Sequence, residues 1–229
     1  MHRDQLIPLP APRGGNGNGR TRPRLTPASD PQPPVGPACG TGELGELQLN
    51  LVDHRRDSSL WNELIERYHY LGYCPLPGAQ LRYFVRNEKQ VLALLGFGAA
   101  AWKVAPRDHW IGWSPHQRKE NLPLIVNNAR FLLLPWVRSK NLASRILSLA
   151  AKRLPDHWQQ KYAYRPLLME TFVEQDRFLG TCYQAANWVK LGYTKGRGKL
   201  DVKNEYKLPI KAIYVYPLAK NAIDTLRSM

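Results

Sequence analysis

Residues Gly180–Gly198 read GTCYQAANWVKLGYTKGRG, and the reading of the chain is organised around this stretch. It opens on a small-residue turn and continues as a predicted short helix carrying Tyr183, Asn187 and Trp188. Gly192 is expected to stop that helix, because glycine readily adopts the left-handed conformation found past helix ends. The chain then leaves through Lys195-Gly196-Arg197-Gly198, where glycine permits close backbone approach and the cations supply charge. A helix followed by a cationic glycine turn is a place where a fold can hold an anion or a phosphate backbone.

Upstream, Pro166 introduces a predicted strand over Leu167–Val173. Before it comes the clearest helix, from about Asn141 to Arg153, with Leu142, Ile146, Leu149 and Ala150 at helical period. Asn127–Leu134 reads as a strand closed by Pro135. Further back, Leu81–Arg86 and Val91–Trp102 are strands joined through Asn87-Glu88-Lys89, a hairpin pattern. A helix capped by Ser58 or Ser59 runs to about Tyr70, and His109–Leu122 reads as a loop or short helix. After the opening stretch, Ile213–Leu218 is a last strand and the final residues look helical. Strands pair locally first and then alternate with helices, which predicts an α/β fold with a single mixed sheet. Residues 1–45, rich in Pro, Gly and Arg with few aromatic or β-branched residues, are expected to form a disordered tail ahead of a domain over 46–229.

The chain has 229 residues, enough for one domain plus a tail. Its 33 Lys and Arg against 18 Asp and Glu leave a net charge of +15. Residues 1–40 hold five Arg against two Asp, so +12 of the excess lies beyond them. That balance suits a polyanionic partner, DNA or RNA first among them; a charge kept for solubility is the alternative. Cys39, Cys74 and Cys182 are widely spaced and odd in number, which fits a reducing cytoplasm rather than a disulfide framework. The N-terminus lacks the apolar run of a signal peptide, and Val91–Trp102 is too short and glycine-broken to cross a bilayer, so no membrane partner is expected. None of the six histidines has ligand spacing with another His or with Cys, so no metal site is expected. The hydrolase, Walker and dinucleotide fingerprints are absent from the sequence.

Three constellations remain. Asn127-Asn128-Ala129-Arg130 leads through Arg138, Ser139 and Lys140 into a helix start, which either offers an anion its backbone N–H groups or is an ordinary connection capped by Asn141 or Ser139. Glu170 alternates with Leu168 and Phe172 on one strand face. It is either a cleft carboxylate whose pKa is raised for base work, or the partner of an arginine held for structure. Arg107, Asp108, His109, Trp110 and Trp113 form a dense polar-aromatic segment, either a stacking surface for bases or a tryptophan-anchored loop. Lys195, Lys199, Lys203, Lys207 and Lys211 recur four apart, but Gly196, Gly198 and Pro209 oppose a continuous helix.

From about Trp61 to Leu218 the segments YHYLGY, GAQLRY, AAAWKVAPRDHWIGW, NNARFLLLP, NLASRIL, ETFV and GTCYQAANWVKLGYTKGRG recur in order. Through them the chain resembles the DruA family of the Druantia anti-phage defence system, whose relatives also accompany transposase-like proteins. That resemblance implies defence or mobile-element biology and no particular reaction. The order of elements is also similar to the second half of the Gcn5-related N-acetyltransferase fold, through AANWVKLGYT above all. This second resemblance implies an acyl-CoA loop over Val137–Leu142, Glu170 as general base and Tyr183 as acid. The chain departs from it in lacking a glycine-rich pyrophosphate loop there. The expected function is therefore a nucleic-acid-binding defence component, with Arg107, Arg130, Arg138, Lys140, Lys195 and Arg197 on phosphates. Trp110, Trp113 and Trp188 would stack or wall a cleft beside Asp108, while Asn127, Asn128 and Asn187 read polar edges. The alternatives are an acyltransferase acting on a base or a protein amine, and a scaffold that recruits a helicase or transposase.

Overall fold

The computed structural model describes residues 22–35, 44–196 and 208–228. Among them seven strands form one mixed sheet in the order β1-β2-β3-β4-β5-β7-β6. The strands are β1 (Gln48–Leu51), β2 (Leu81–Arg86), β3 (Val91–Ala99), β4 (Ile125–Leu133), β5 (Leu168–Glu174), β6 (Val189–Tyr193) and β7 (Lys211–Pro217). The helices are α1 (Arg55–Tyr68), α2 (Ala105–Ile111), α3 (Pro115–Asn121), α4 (Leu142–Tyr162), α5 (Thr181–Ala185) and α6 (Ala222–Arg227). The α/β class and the single mixed sheet are as the sequence predicts.

Local chemistry accounts for much of this. The Asn87 side chain accepts hydrogen bonds from the Lys89 and Gln90 N–H groups, closing the hairpin between β2 and β3. Ser114 and Gln117 make a reciprocal capping box that starts α3 right after α2 ends on Gly112, whose φ is +74°. The periodic face of α4 buries Leu142, Ile146, Leu147, Ala150, Leu154 and Trp158, and the helix continues through Pro155 to Tyr162.

Neighbouring residues on β5 show how the sheet divides its packing. Met169 joins the main core with α1 and α4, whereas Leu168 joins a second cluster with Ile111, Trp113 and Leu226 from the α2–α3 and α6 region. Helices thus cover both sheet faces. Every strand pair is antiparallel except β4–β5, which is parallel.

Two expectations about helix ends change. The helix predicted to reach Gly192 stops at Ala185; Asn187 turns the chain at a φ of 62°, and Val189–Tyr193 pairs with β7 as a strand. Asn tolerates that left-handed turn, and β7 offers Val189 and Tyr193 a ladder that a longer helix would leave unfilled. Gly192 therefore lies inside β6, where the register shifts. The first helix starts at Arg55, ahead of both serines; Ser59 instead bonds back to the Arg55 carbonyl.

Residues 22–35 make contacts with α1 and with the connection after β4. Thr26 donates two hydrogen bonds to Glu63 at 2.8 Å, Tyr68 donates to the Ser29 carbonyl, and Val35 bridges Val137. Composition misses this because the segment borrows its partners from α1 and contributes little core of its own. Arg197, Gly198, Lys199, Lys203 and Lys207 lie outside the described residues. Strand β1, with no distinctive pattern in its four residues, pairs with β2 by register alone.

Candidate functional site

The parallel ladder between β4 and β5 has only three residue pairs, Ile125–Leu168, Val126–Met169 and Asn127–Glu170. Beyond them β4 continues against β3 and β5 continues against β7. Two strands that each keep their outer partner while losing one another splay apart. The gap is a cleft of about 690 Å³, lined by Asn127–Leu133 on one side and Thr171–Glu174 on the other. Tyr68–Leu71 after α1, Ala143 in the first turn of α4, and Arg177–Tyr183 complete its walls with Lys211. A cleft of this volume is in the range of small-ligand sites.

Local devices hold the parting point open. Ala129 is the extra residue of a β-bulge, since Arg130 pairs with Gly96 and Asn128 with Phe97. A bulge bends its strand and re-aims the side chains around it. The Thr171 hydroxyl donates to the Asn128 carbonyl at 3.0 Å, satisfying a backbone group where the ladder ends. The Asn128 side chain donates to the Arg130 carbonyl and accepts from the Tyr183 hydroxyl at 2.9 Å. Gly180, at a φ of +73°, lets α5 begin under the ring of Tyr214, where an added Cβ would lie 2.5 Å from the phenol oxygen.

The charges in the cleft are uneven. Glu174 accepts from Arg177, so that pair is neutral in sum. Arg130 is half-buried, and its Nη1 donates to the Ala129 carbonyl. Among the described residues no carboxylate lies within ion-pair distance of it, and its Nε has no hydrogen-bond partner. Burial lowers the pKa of Arg130, the direction expected of a cation short of counter-charge. His69 is buried beside it; burial, reinforced by the charge of Arg130, lowers its pKa to about 4. Its Nδ1 accepts from the Leu71 N–H, which puts the proton of the neutral ring on Nε2. Burial raises the pKa values of Tyr183 and Cys182.

The sequence-nominated residues part company here. Asn127, Asn128, Arg130 and Tyr183 line the one cleft. Glu170 does not; it is 0% exposed, and its carboxylate accepts from the Ala101 N–H at 2.8 Å and from Arg107 at 2.7 Å. Burial pushes its carboxyl up while Arg107 and the Ala101 amide act in the opposite sense. A closed ion pair on the far face from Tyr183 gives no base for that tyrosine to work with. Arg107 is closed off with it and, against the expectation that it contacts phosphate, is also 0% exposed, held by Glu170, by Asp108 at 2.7 Å and by the Ala101 carbonyl.

Trp113 is buried under Arg107, and Trp110 packs half-buried in the same second cluster, so neither walls the cleft. Trp188, 4% exposed, packs against Tyr183 and Tyr216 within the core and cannot take a base. Asp108 pairs with Arg107 and Arg118 on the α2 side. Arg138, Lys140, Asn187 and Lys195 are exposed but lie outside the cleft lining.

The residues that sequence reasoning missed are His69, Tyr70, Thr171, Arg177, Phe178 and Leu179. Their one signal is Phe178-Leu179 standing between Arg177 and Gly180, two large apolar residues in a turn. Among the described residues no cluster of His, Cys, Asp or Glu is placed to hold a metal ion, and no helix is long and apolar enough to cross a membrane.

Comparison with known proteins adds a family. The family model described as Druantia protein DruA matches residues 31–206. No curated protein sequence matches the chain. Among solved structures, it is similar to spermidine/spermine N-acetyltransferase from Vibrio cholerae at 11% identity, covering 76% of this chain and 94% of that one with a TM-score of 0.47. A Bacillus subtilis acetyltransferase in complex with CoA gives 8% identity, 76% and 100% coverage and a TM-score of 0.48. The Escherichia coli ribosomal-protein-S18-alanine N-acetyltransferase gives 8% identity, 76% and 95% coverage and 0.45.

Proposed function

The chain belongs to the Druantia protein DruA family, and from that premise we propose that it is a cytoplasmic nucleic-acid-binding component of an anti-phage defence system. The observation that carries the reading is Arg130: a half-buried guanidinium at a cleft, with no carboxylate to neutralise it among the described residues. Leaving such a charge without a counter-ion is unfavourable unless a ligand supplies one. A phosphate does so through two parallel N–H donors, which the planar guanidinium presents. Arg138 and Lys140, exposed on the connection between β4 and α4, are further cations that could meet the phosphates that follow. In this reading the protein partner is a helicase or a transposase acting on the same nucleic acid, which co-purification from the native host distinguishes.

The test is fluorescence anisotropy of labelled DNA and RNA with the full-length chain over a salt series. Binding should weaken as salt rises, by about 0.9 log units per tenfold salt for each duplex phosphate contact. Arg130→Gln should reduce that slope by about one and weaken all sequences alike. Absence of binding to any nucleic acid at low salt would remove the proposal.

A second reading, acyl-group transfer onto a base or protein amine, is favoured by one feature. The cleft reaches Ala143 in the first turn of α4, and that helix begins at Asn141 without a side-chain cap. Its open N–H groups and dipole would suit the pyrophosphate of an acyl-CoA, although Val137–Leu142 carries no glycine. Tyr183 would then be the group within reach of the acyl centre as acid, with no base at Glu170. A rise in melting temperature with acetyl-CoA tests it directly.

A further inference from the structure

The rim of the cleft is apolar where the floor is cationic. Tyr70 is 37% exposed, Phe178 48% and Leu179 78%, and all three line the same opening. The rings of Tyr70 and Phe178 lie 5.3 Å apart at 61°, so they form a corner rather than a closed stack. His69 backs Tyr70 at 4.9 Å and 28°, and the Arg177 guanidinium lies 5.3 Å from the Tyr70 ring centre. Tyr70 is thus held by His69 stacked on it and by the Arg177 guanidinium over its ring, while Phe178 meets it edge-on and keeps about half its surface open. Large aromatic side chains left at a surface in a group call for a partner.

Arg130 supplies the second half of the argument. It lines the same cleft as His69 and Tyr70, and its charge adds to burial in keeping His69 neutral. A cation and a neutral N–H donor therefore stand beside an aromatic corner. The complementary ligand is a phosphate joined through a sugar to a planar ring.

We propose that the cleft takes an unpaired nucleotide of a single strand, its phosphate on Arg130 and His69 Nε2 and its base against Tyr70 and Phe178. This deepens the nucleic-acid reading above and rests on it. A cleft of about 690 Å³ has room for about one or two nucleotides. A paired base shows only its edges, its faces being covered by the neighbours in the stack; an unpaired one offers the face that an aromatic corner needs. The phosphate and the base faces are shared by DNA and RNA, so the experiment carries both.

The experiment uses the full-length chain with oligonucleotides of one sequence, as single-stranded DNA, single-stranded RNA and duplex DNA. The variants are wild type, Tyr70→Ala/Phe178→Ala and, as a control on the outer face of α4, Lys152→Gln. At least one single strand should bind at least about tenfold more tightly than the duplex, and removal of both rings together should cost that strand about tenfold. The duplex and the control variant should be little changed. A single strand carrying 2-aminopurine should lose fluorescence on binding wild type and keep it with the double variant, which reads stacking without relying on affinity. Equal binding of duplex and single strand, or full affinity and quenching in a folded double variant, would overturn the single-strand assignment and leave nucleic-acid binding standing. No binding in any arm would remove the reading beneath it.

Discussion

Replacing Glu170 by alanine tests whether its carboxylate is structural. In the folded chain it accepts from the Arg107 guanidinium at 2.7 Å and from the Ala101 N–H at 2.8 Å, with both charged partners 0% exposed. The substitution leaves Arg107 with Asp108 and the Ala101 carbonyl and deprives the Ala101 N–H of its acceptor. Breaking one side of a buried pair costs about 3–5 kcal/mol, a figure that already contains the desolvated partner left behind. For a domain of this size each kcal/mol moves the melting temperature by about 2–4 °C, so the expected loss is about 6–20 °C. Glu170→Gln keeps the shape and one acceptor but gives up the charged hydrogen bond, worth about 1.5–3 kcal/mol. The double variant Arg107→Met/Glu170→Leu removes both charges together and should lose much less than the two single losses added. Thermal melting and urea unfolding, both followed by tryptophan fluorescence and the latter run as that double-mutant cycle, measure all of this. Unchanged midpoints for Glu170→Ala and Glu170→Gln, with nucleic-acid binding or acyl transfer abolished, would refute the structural assignment and restore Glu170 as a functional group.

Gly180→Ala should destabilise the fold by about 2–4 kcal/mol, because a Cβ there meets the Tyr214 phenol at 2.5 Å on a backbone whose φ is +73°; an unfolding midpoint within error of wild type would contradict the packing described. His69 links stability to acid: with its pKa lowered from 6.5 to about 4, the unfolded chain takes up the proton first as the pH falls. Its contribution is therefore full above about pH 6.5 and is lost toward pH 4, an effect of about 3 kcal/mol. His69→Asn, which preserves an acceptor for the Leu71 N–H, should flatten that part of the pH dependence in urea midpoints taken between pH 7 and 4.

Periodicity and turn chemistry made several elements legible in the sequence. The β2–β3 hairpin follows from its apolar runs and the Asn87 turn, and the core of α4 follows from Leu142, Ile146 and Ala150. Asn127, Asn128, Arg130 and Tyr183 stand out in the sequence as polar or basic groups at element ends, and they meet in the cleft because β4 and α5 converge there. Charge and aromatic content alone could not tell a buried group from an exposed one. By type Arg107 suits phosphate and Trp188 suits stacking, yet the partner of Arg107, Glu170, lies 63 residues away and Tyr183 and Tyr216 enclose Trp188.

By itself the sequence settles the positive excess, the alternation of strands and helices, and the ordered segments that mark the family, because these depend on neighbours along the chain. Tertiary structure alone decides that β4 and β5 lie side by side, that they part after Asn127 and Glu170, and which face of β5 turns toward the gap. Strand pairing across some forty residues is chosen by global packing and by the outer partners β3 and β7, and no local pattern records it. The cleft exists because each strand holds to its outer neighbour more extensively than to the other.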